Sequence, residues 1–170
     1  TDASGKLNQS YIKILSKQVS DLLKKGKQVV LVSSGAIGAG SVEMDLKNKA
    51  RDIPTRQAMA AIGQGLVMNA WHEAFAKHDV KVAQILLTYD DFSNRNRFLN
   101  LNNSLEKLLK LGVVPILNEN DPISINEIGE SFGDNDKLSA LVASKLDADL
   151  LVVLSDIDGL FDKDPKKNGD

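Results

Sequence analysis

Four short stretches carry side chains whose types and spacing suit the handling of small charged molecules. Ser33-Ser34-Gly35-Ala36-Ile37-Gly38-Ala39-Gly40 follows an apolar run and mixes small residues with glycine. Its backbone N–H groups can converge on an anion where a helix begins. Asn118-Glu119-Asn120-Asp121-Pro122 sets four polar side chains in a row. A turn ahead of proline explains one of them, and the rest suit a ligand ammonium or carboxylate held by charge-assisted hydrogen bonds. Gly133-Asp134-Asn135-Asp136 precedes a helical run, and capping uses only one of its three polar side chains. The surplus places two carboxylates where cationic groups can be oriented. Ser155-Asp156-Ile157-Asp158-Gly159-Leu160-Phe161 ends another apolar run in an acidic turn, suited to a ribose, a phosphate-bound metal or solvent.

Plainer readings stand beside these. The glycines at 35, 38 and 40 match neither G-x-x-x-x-G-K-[ST] nor G-x-G-x-x-G. A tight strand-to-helix turn with Ser34 as N-cap would account for that stretch without a ligand. Asp156-x-Asp158-Gly159 resembles part of a calcium loop, but the ligand ahead of it and the closing glutamate are missing, so that reading is rejected. His72 and His78 have no partner cluster and read as surface or satisfied histidines. Met59, Met68, Trp71 and Phe75 lie at helical spacing and read as core or oligomer packing. Gly63-Gln64-Gly65 sits inside a helical pattern, where each glycine costs about 1 kcal/mol relative to alanine. The pair signals either close helix packing or a local break.

The elements that must position these groups follow from periodicity. Leu7, Tyr11, Ile14, Leu15, Val19, Leu22 and Leu23 recur at helical spacing ahead of Gly26. Val29 to Val32 reads as a strand buried on both faces. Thr55 to Lys77 reads as a long helix entered through Pro54, and Lys81 to Thr88 as the next strand. A helix from about Phe98 to Leu111 stops at Gly112 and feeds a strand from Val113 to Leu117. Asp136 to Leu146 is then helical and Leu150 to Leu154 a last strand. This alternation predicts crossovers on a mainly parallel sheet, an α/β fold built as a three-layer α/β/α sandwich. In such sheets ligands lie beyond the carboxyl ends of the strands. Those positions hold Ser33 to Gly35, Thr88 to Asp91, Asn118 to Asp121, and Ser155-Asp156.

At 170 residues and 42% apolar content the chain can bury one substantial core, so residues 1–170 read as one domain. Lys+Arg of 21 against Asp+Glu of 23 gives a net charge of −2, with no footprint for nucleic acid or an anionic membrane. The absence of cysteine excludes disulfides and thiolate metal sites and favours a cytoplasmic location. No apolar run approaches the roughly 20 residues that span a bilayer. Both ends are polar and read as cuts through loops of a longer chain.

Taken in order, VLVSSGAIGAG, AAIGQG, QILLT, VVPILNEND, FGDNDKLSALVA and LLVVLSDIDGLF resemble the glutamate 5-kinases over nearly the whole chain. The specific combination is NEND followed by GDND after an SSGAI turn. Within the amino-acid-kinase superfamily the likeness is greater than to N-acetylglutamate kinase, aspartokinase or carbamate kinase. The resemblance implies a carbamate-kinase-like fold and phosphorylation of the L-glutamate side-chain carboxylate by ATP, with Mg2+, to L-glutamyl 5-phosphate, the first step of proline biosynthesis. It implies that Ser34, Asp121 and Asn135 bind glutamate, with Asn118 beside them. It further implies that Asp136 organises two catalytic lysines with Asp134 in the same cluster, and that Ser155 and Asp156 begin the ATP-binding segment. The family's first strand, with a lysine and a glycine-rich phosphate turn, would precede Thr1. The second lysine and the rest of the adenine site would follow Asp170, so the fragment alone is expected to be inactive. A homo-oligomer, feedback inhibition by proline and, in some members, a C-terminal RNA-modification-type domain are implied as well.

The implied reaction joins two anions, so catalysis is chiefly positioning and neutralisation of charge. A carboxylate is already ionised near neutral pH and needs no general base. Two alternatives remain open: a sister kinase acting on another carboxylate or on carbamate, and a non-catalytic amino-acid-sensing module.

Overall fold

Asn8, Asp52 and Asn94 each start a helix by satisfying its first backbone N–H groups with a short polar side chain. In a computed structural model, which describes residues 5–46, 52–124 and 135–154, α1 (Gln9–Lys24) starts at Asn8, whose side chain accepts from the Tyr11 N–H. After the two-residue strand β1 (Leu31–Val32) comes α2 (Ala36–Glu43). The long helix α3 (Ile53–Ala76) starts at Asp52, which accepts from the Thr55 N–H at 2.9 Å, with Pro54 in its first turn. Strand β2 (Val82–Leu87) leads through a single turn, α4 (Asp90–Ser93), into α5 (Arg95–Lys110), capped by the Asn94 side chain. Strand β3 (Val114–Glu119) and helix α6 (Asn135–Lys145) complete the described elements.

The sheet runs β1-β3-β2 and every pairing is parallel. Leu31 lies opposite Ile116 on one side, and Val82 to Leu87 run opposite Val114 to Glu119 on the other. All six residues of the central strand β3 are buried. Val114 and Ile116 pack with Ile12 and Val19 of α1 and Val67, Trp71 and Phe75 of α3. Leu117 packs instead with Leu87, with Leu105 of α5, and with Leu138 and Val142 of α6. Helices therefore cover both faces of a parallel sheet, the three-layer α/β/α arrangement expected from the alternation of elements.

Helix α3 is unbroken through its paired glycines, which decides between the two readings of that stretch. A Cβ built on Gly63 would land on the Ala36 carbonyl oxygen and 2.5 Å from the Gly40 nitrogen, and one on Gly40 would land on the Met59 carbonyl oxygen. The two glycines let the backbones of α2 and α3 meet without side chains between them. Gly65 has nothing within 4 Å of the same position. Met59, Trp71 and Phe75 are buried core residues, whereas His72 is exposed and His78 half-buried.

Three expectations need correction, the first being Val29 to Val32, which forms only the half-buried pair Leu31–Val32 and not a strand buried on both faces. Leu150 to Leu154 has the composition of a buried strand, yet it pairs with no strand among the described residues, and its side chains are 41–77% exposed. Apolar composition favours burial but does not supply the neighbour whose N–H and C=O groups complete a ladder. The N-cap of α2 is Gly35, at φ 96°, with no side-chain capping bond, so Ser34 does not cap that helix. The chain turns at the residue that tolerates a left-handed backbone, one position later than the hydroxyl. Among the described residues no helix is long and apolar enough to cross a membrane.

Candidate functional site

Parallel pairing of β1 with β3 brings the carboxyl ends of these strands side by side. The Ser33 N–H extends the ladder, donating to the Leu117 carbonyl at 2.8 Å. The next residue of β3 is Asn118, whose side chain enters a buried environment and is only 3% exposed. A buried amide must find partners, and two helices supply them. Asn118 Nδ2 donates to Gln64 Oε1 of α3 at 2.8 Å, while Asn118 Oδ1 accepts from Asn135 Nδ2 of α6 at 3.3 Å. Asn135 Nδ2 also donates to the Ser33 carbonyl at 2.9 Å. From the α3 side, Trp71 Nε1 donates to the Ser33 hydroxyl at 3.0 Å. Sheet, α3 and α6 are thus tied at one point by neutral polar groups.

The end of β3 carries negative charge as well. Glu119 is buried and accepts from the Ser124 hydroxyl at 2.5 Å, and Gln57 Nε2 of α3 reaches the Ser124 carbonyl at 3.4 Å. Asp121, half-buried in the turn that follows, has its pKa pushed up to about 6 from an ordinary 3.8. Burial is the main cause, repulsion from Glu119 adds to it, and Arg56 partly offsets both. Between pH 3.8 and about 6 the folded chain holds a proton that the unfolded chain has released. Stability associated with Asp121 is therefore present at low pH and lost as pH rises through about 6. Asp121→Asn should match the native protein near pH 4 and melt at a higher temperature at pH 7. Thermal denaturation at the two pH values checks this, and equal melting temperatures at pH 7 would refute it.

The residues expected at the site divide into groups. Asn118 and Asn135 are joined directly. Ser34 is exposed immediately after the buried Ser33, and Asp121 lies in the turn after β3. Asp136 is exposed in the first turn of α6, where the helix dipole favours a carboxylate. Asp134, Ser155 and Asp156 lie outside the described residues. At the end of β2, Asp91 Oδ2 accepts from both the Thr88 N–H (2.7 Å) and the Thr88 hydroxyl (2.9 Å), which stabilises the turn into α4. Sequence reasoning missed Gln64 and Trp71, and it named Ser33 and Glu119 only as members of their stretches. A glutamine flanked by glycines within an apolar helix was the available signal, since such a side chain needs a buried partner.

Neutral amides with their hydrogens directed inward do not form a site for a divalent ion. Among the described residues no group of three His, Cys, Asp or Glu side chains could hold a metal. The arrangement instead suits a small zwitterion, with amides joined at the paired strand ends and an ionisable carboxylate in the turn that follows β3.

Comparison with known proteins gives a consistent picture. Residues 1–170 match the amino acid kinase family. Relatives named glutamate 5-kinase include one from Methanococcoides burtonii, 56% identical over 98% of this chain and 44% of its own length. Others are from Methanosarcina barkeri, 59% identical over 96% of this chain and 43% of the relative, and from Thermoanaerobacter sp. strain X514, 51% identical over 98% and 44%. The chain spans less than half the length of the curated relatives it matches.

Proposed function

We infer the function from one premise: this chain belongs to the amino acid kinase family. It forms part of an enzyme that transfers the terminal phosphoryl group of ATP to the side-chain carboxylate of L-glutamate, giving L-glutamyl 5-phosphate for proline biosynthesis. The name shared by its relatives supports the reaction. The observation that carries the site is the bond between Asn118 and Asn135 at the paired ends of β1 and β3.

In this reading Ser34, Asp121 and Asn135 bind glutamate. Both amide hydrogens of Asn135 have acceptors in the Ser33 carbonyl and Asn118 Oδ1, so its Oδ1 is the group offered to substrate. That amide acceptor and the Asp121 carboxylate together would suit the α-ammonium of an amino acid. Asn118 supports Asn135 through their hydrogen bond. Asp136 and Asp134 orient the lysines that neutralise the transferring phosphoryl, and Ser155 and Asp156 begin the nucleotide segment. Magnesium arrives as part of the ATP complex and supplies positive charge to the phosphates. Glutamate needs no deprotonation at its reacting carboxylate, so the work left to these residues is alignment. Proline retains an ammonium and an α-carboxylate and is read as an inhibitor of the same assembly, which works as a cytoplasmic homo-oligomer.

Hydroxylamine trapping of the acyl phosphate, with the full-length protein, ATP and glutamate, tests the reading. Formation of the γ-glutamyl hydroxamate is the expected result. ADP release should be at least tenfold faster with glutamate than with N-acetylglutamate, which lacks the ammonium that Asn135 and Asp121 would hold, a loss of about 1.5–3 kcal/mol for a charged hydrogen bond. Preference for N-acetylglutamate, aspartate or carbamate would assign a sister activity, and glutamate binding with no acyl phosphate would make the protein a sensor.

A further inference from the structure

We propose that Gln64, in the middle of α3, is a positioning residue of the substrate site, acting on Asn135 through Asn118. Gln64 belongs to none of the strand-end stretches, yet it is 8% exposed and its Oε1 receives the Asn118 amide at 2.8 Å. The direction of every amide in the chain is set from one end. The Ser33 carbonyl can only accept, so Asn135 turns Nδ2 toward it. That same Nδ2 meets Asn118 at 3.3 Å, which requires Asn118 to present Oδ1. Asn118 must then direct Nδ2 at Gln64, and Gln64 must answer with its oxygen. Flipping any one amide would set donor against donor or acceptor against acceptor in a buried place, where an unmet polar group is costly.

Gln64 completes this arrangement from α3, the helix whose Trp71 also bonds the Ser33 hydroxyl at 3.0 Å. The Asn118 amide would otherwise lack its acceptor, and its rotation would release one of the two contacts that hold Asn135. Gln64 thereby sets the geometry of the acceptor oxygen offered to the substrate without touching the substrate. The inference rests on the proposed contact between Asn135 and the acceptor substrate.

A double-mutant cycle in the full-length protein tests it, using native protein, Gln64→Met, Asn135→Ala and the double variant. Methionine keeps the volume and unbranched shape of glutamine while removing the strong acceptor. Gln64→Met alone should raise KM for the acceptor about tenfold, the effect of one buried hydrogen bond, with kcat and KM for ATP within about threefold. On the Asn135→Ala background it should add less than about twofold, because the group it positions is gone. Independent, multiplicative effects, an unchanged KM, or an equal fall in kcat would overturn the proposal. If Gln64→Met does not fold, Gln64→Asn, which keeps the amide but withdraws it by one methylene, is held to the same outcomes. The cycle is read with whichever acceptor the native protein phosphorylates, or as glutamate Kd by calorimetry if there is no turnover. Failure of the glutamate assignment is then distinguishable from failure of the relay.

Discussion

Asp136→Asn in the full-length protein should lower kcat by about 100-fold or more while leaving KM for glutamate within a few-fold, the scale seen when one preorganised electrostatic group is removed. Asparagine preserves the shape of the side chain and its ability to hydrogen-bond in the first turn of α6, so α6 should still form. What disappears is the charge. Asp136 directly follows Asn135, which is tied to Asn118 and the Ser33 carbonyl. Its backbone is therefore fixed relative to the paired strand ends. In the proposed reaction a carboxylate at this helix start would hold cationic groups, and the phosphoryl group in flight would carry the negative charge those cations must meet. Steady-state kinetics with both substrates check this, alongside a melting curve to show that the fold persists. Turnover equal to the native protein would remove Asp136 from the mechanism.

The sequence made the layers legible because their signals are local. Seven apolar residues at helical spacing mark α1, and the apolar run before Asn118 marks the strand β3. The polar stretches that end β3 and open α6 contain Asn118 and Asn135, and each stands out against the apolar or helical run next to it. Hidden features depended on pairs distant in the chain. Gln64 lies 54 residues from Asn118, and Asn135 lies 102 residues from the Ser33 carbonyl. No periodicity reports which buried amides will face each other. Leu150 to Leu154 failed as a strand for the same reason, since propensity describes one chain segment and a ladder needs two.

Gly63→Ala should destabilise the protein by about 1–3 kcal/mol, the usual range for overpacking a tight contact, although alanine is the better helix former by about 1 kcal/mol. The two effects oppose each other, and geometry decides between them. The added methyl would meet the Ala36 carbonyl and the Gly40 nitrogen, backbone atoms of α2 that no rotamer change can withdraw. The helices must separate, and Gln64, the next residue of α3, moves with them. KM for the acceptor should therefore rise along with the loss of stability. Gly65→Ala is the matched control on the same helix, with open space around its Cβ. There only the propensity gain remains, so this variant should be more stable than the native chain, by up to about 1 kcal/mol. Chemical denaturation of the two variants separates the cases by sign. If Gly63→Ala proves as stable as Gly65→Ala, the backbone contact between α2 and α3 cannot be what sets the depth at which Gln64 sits.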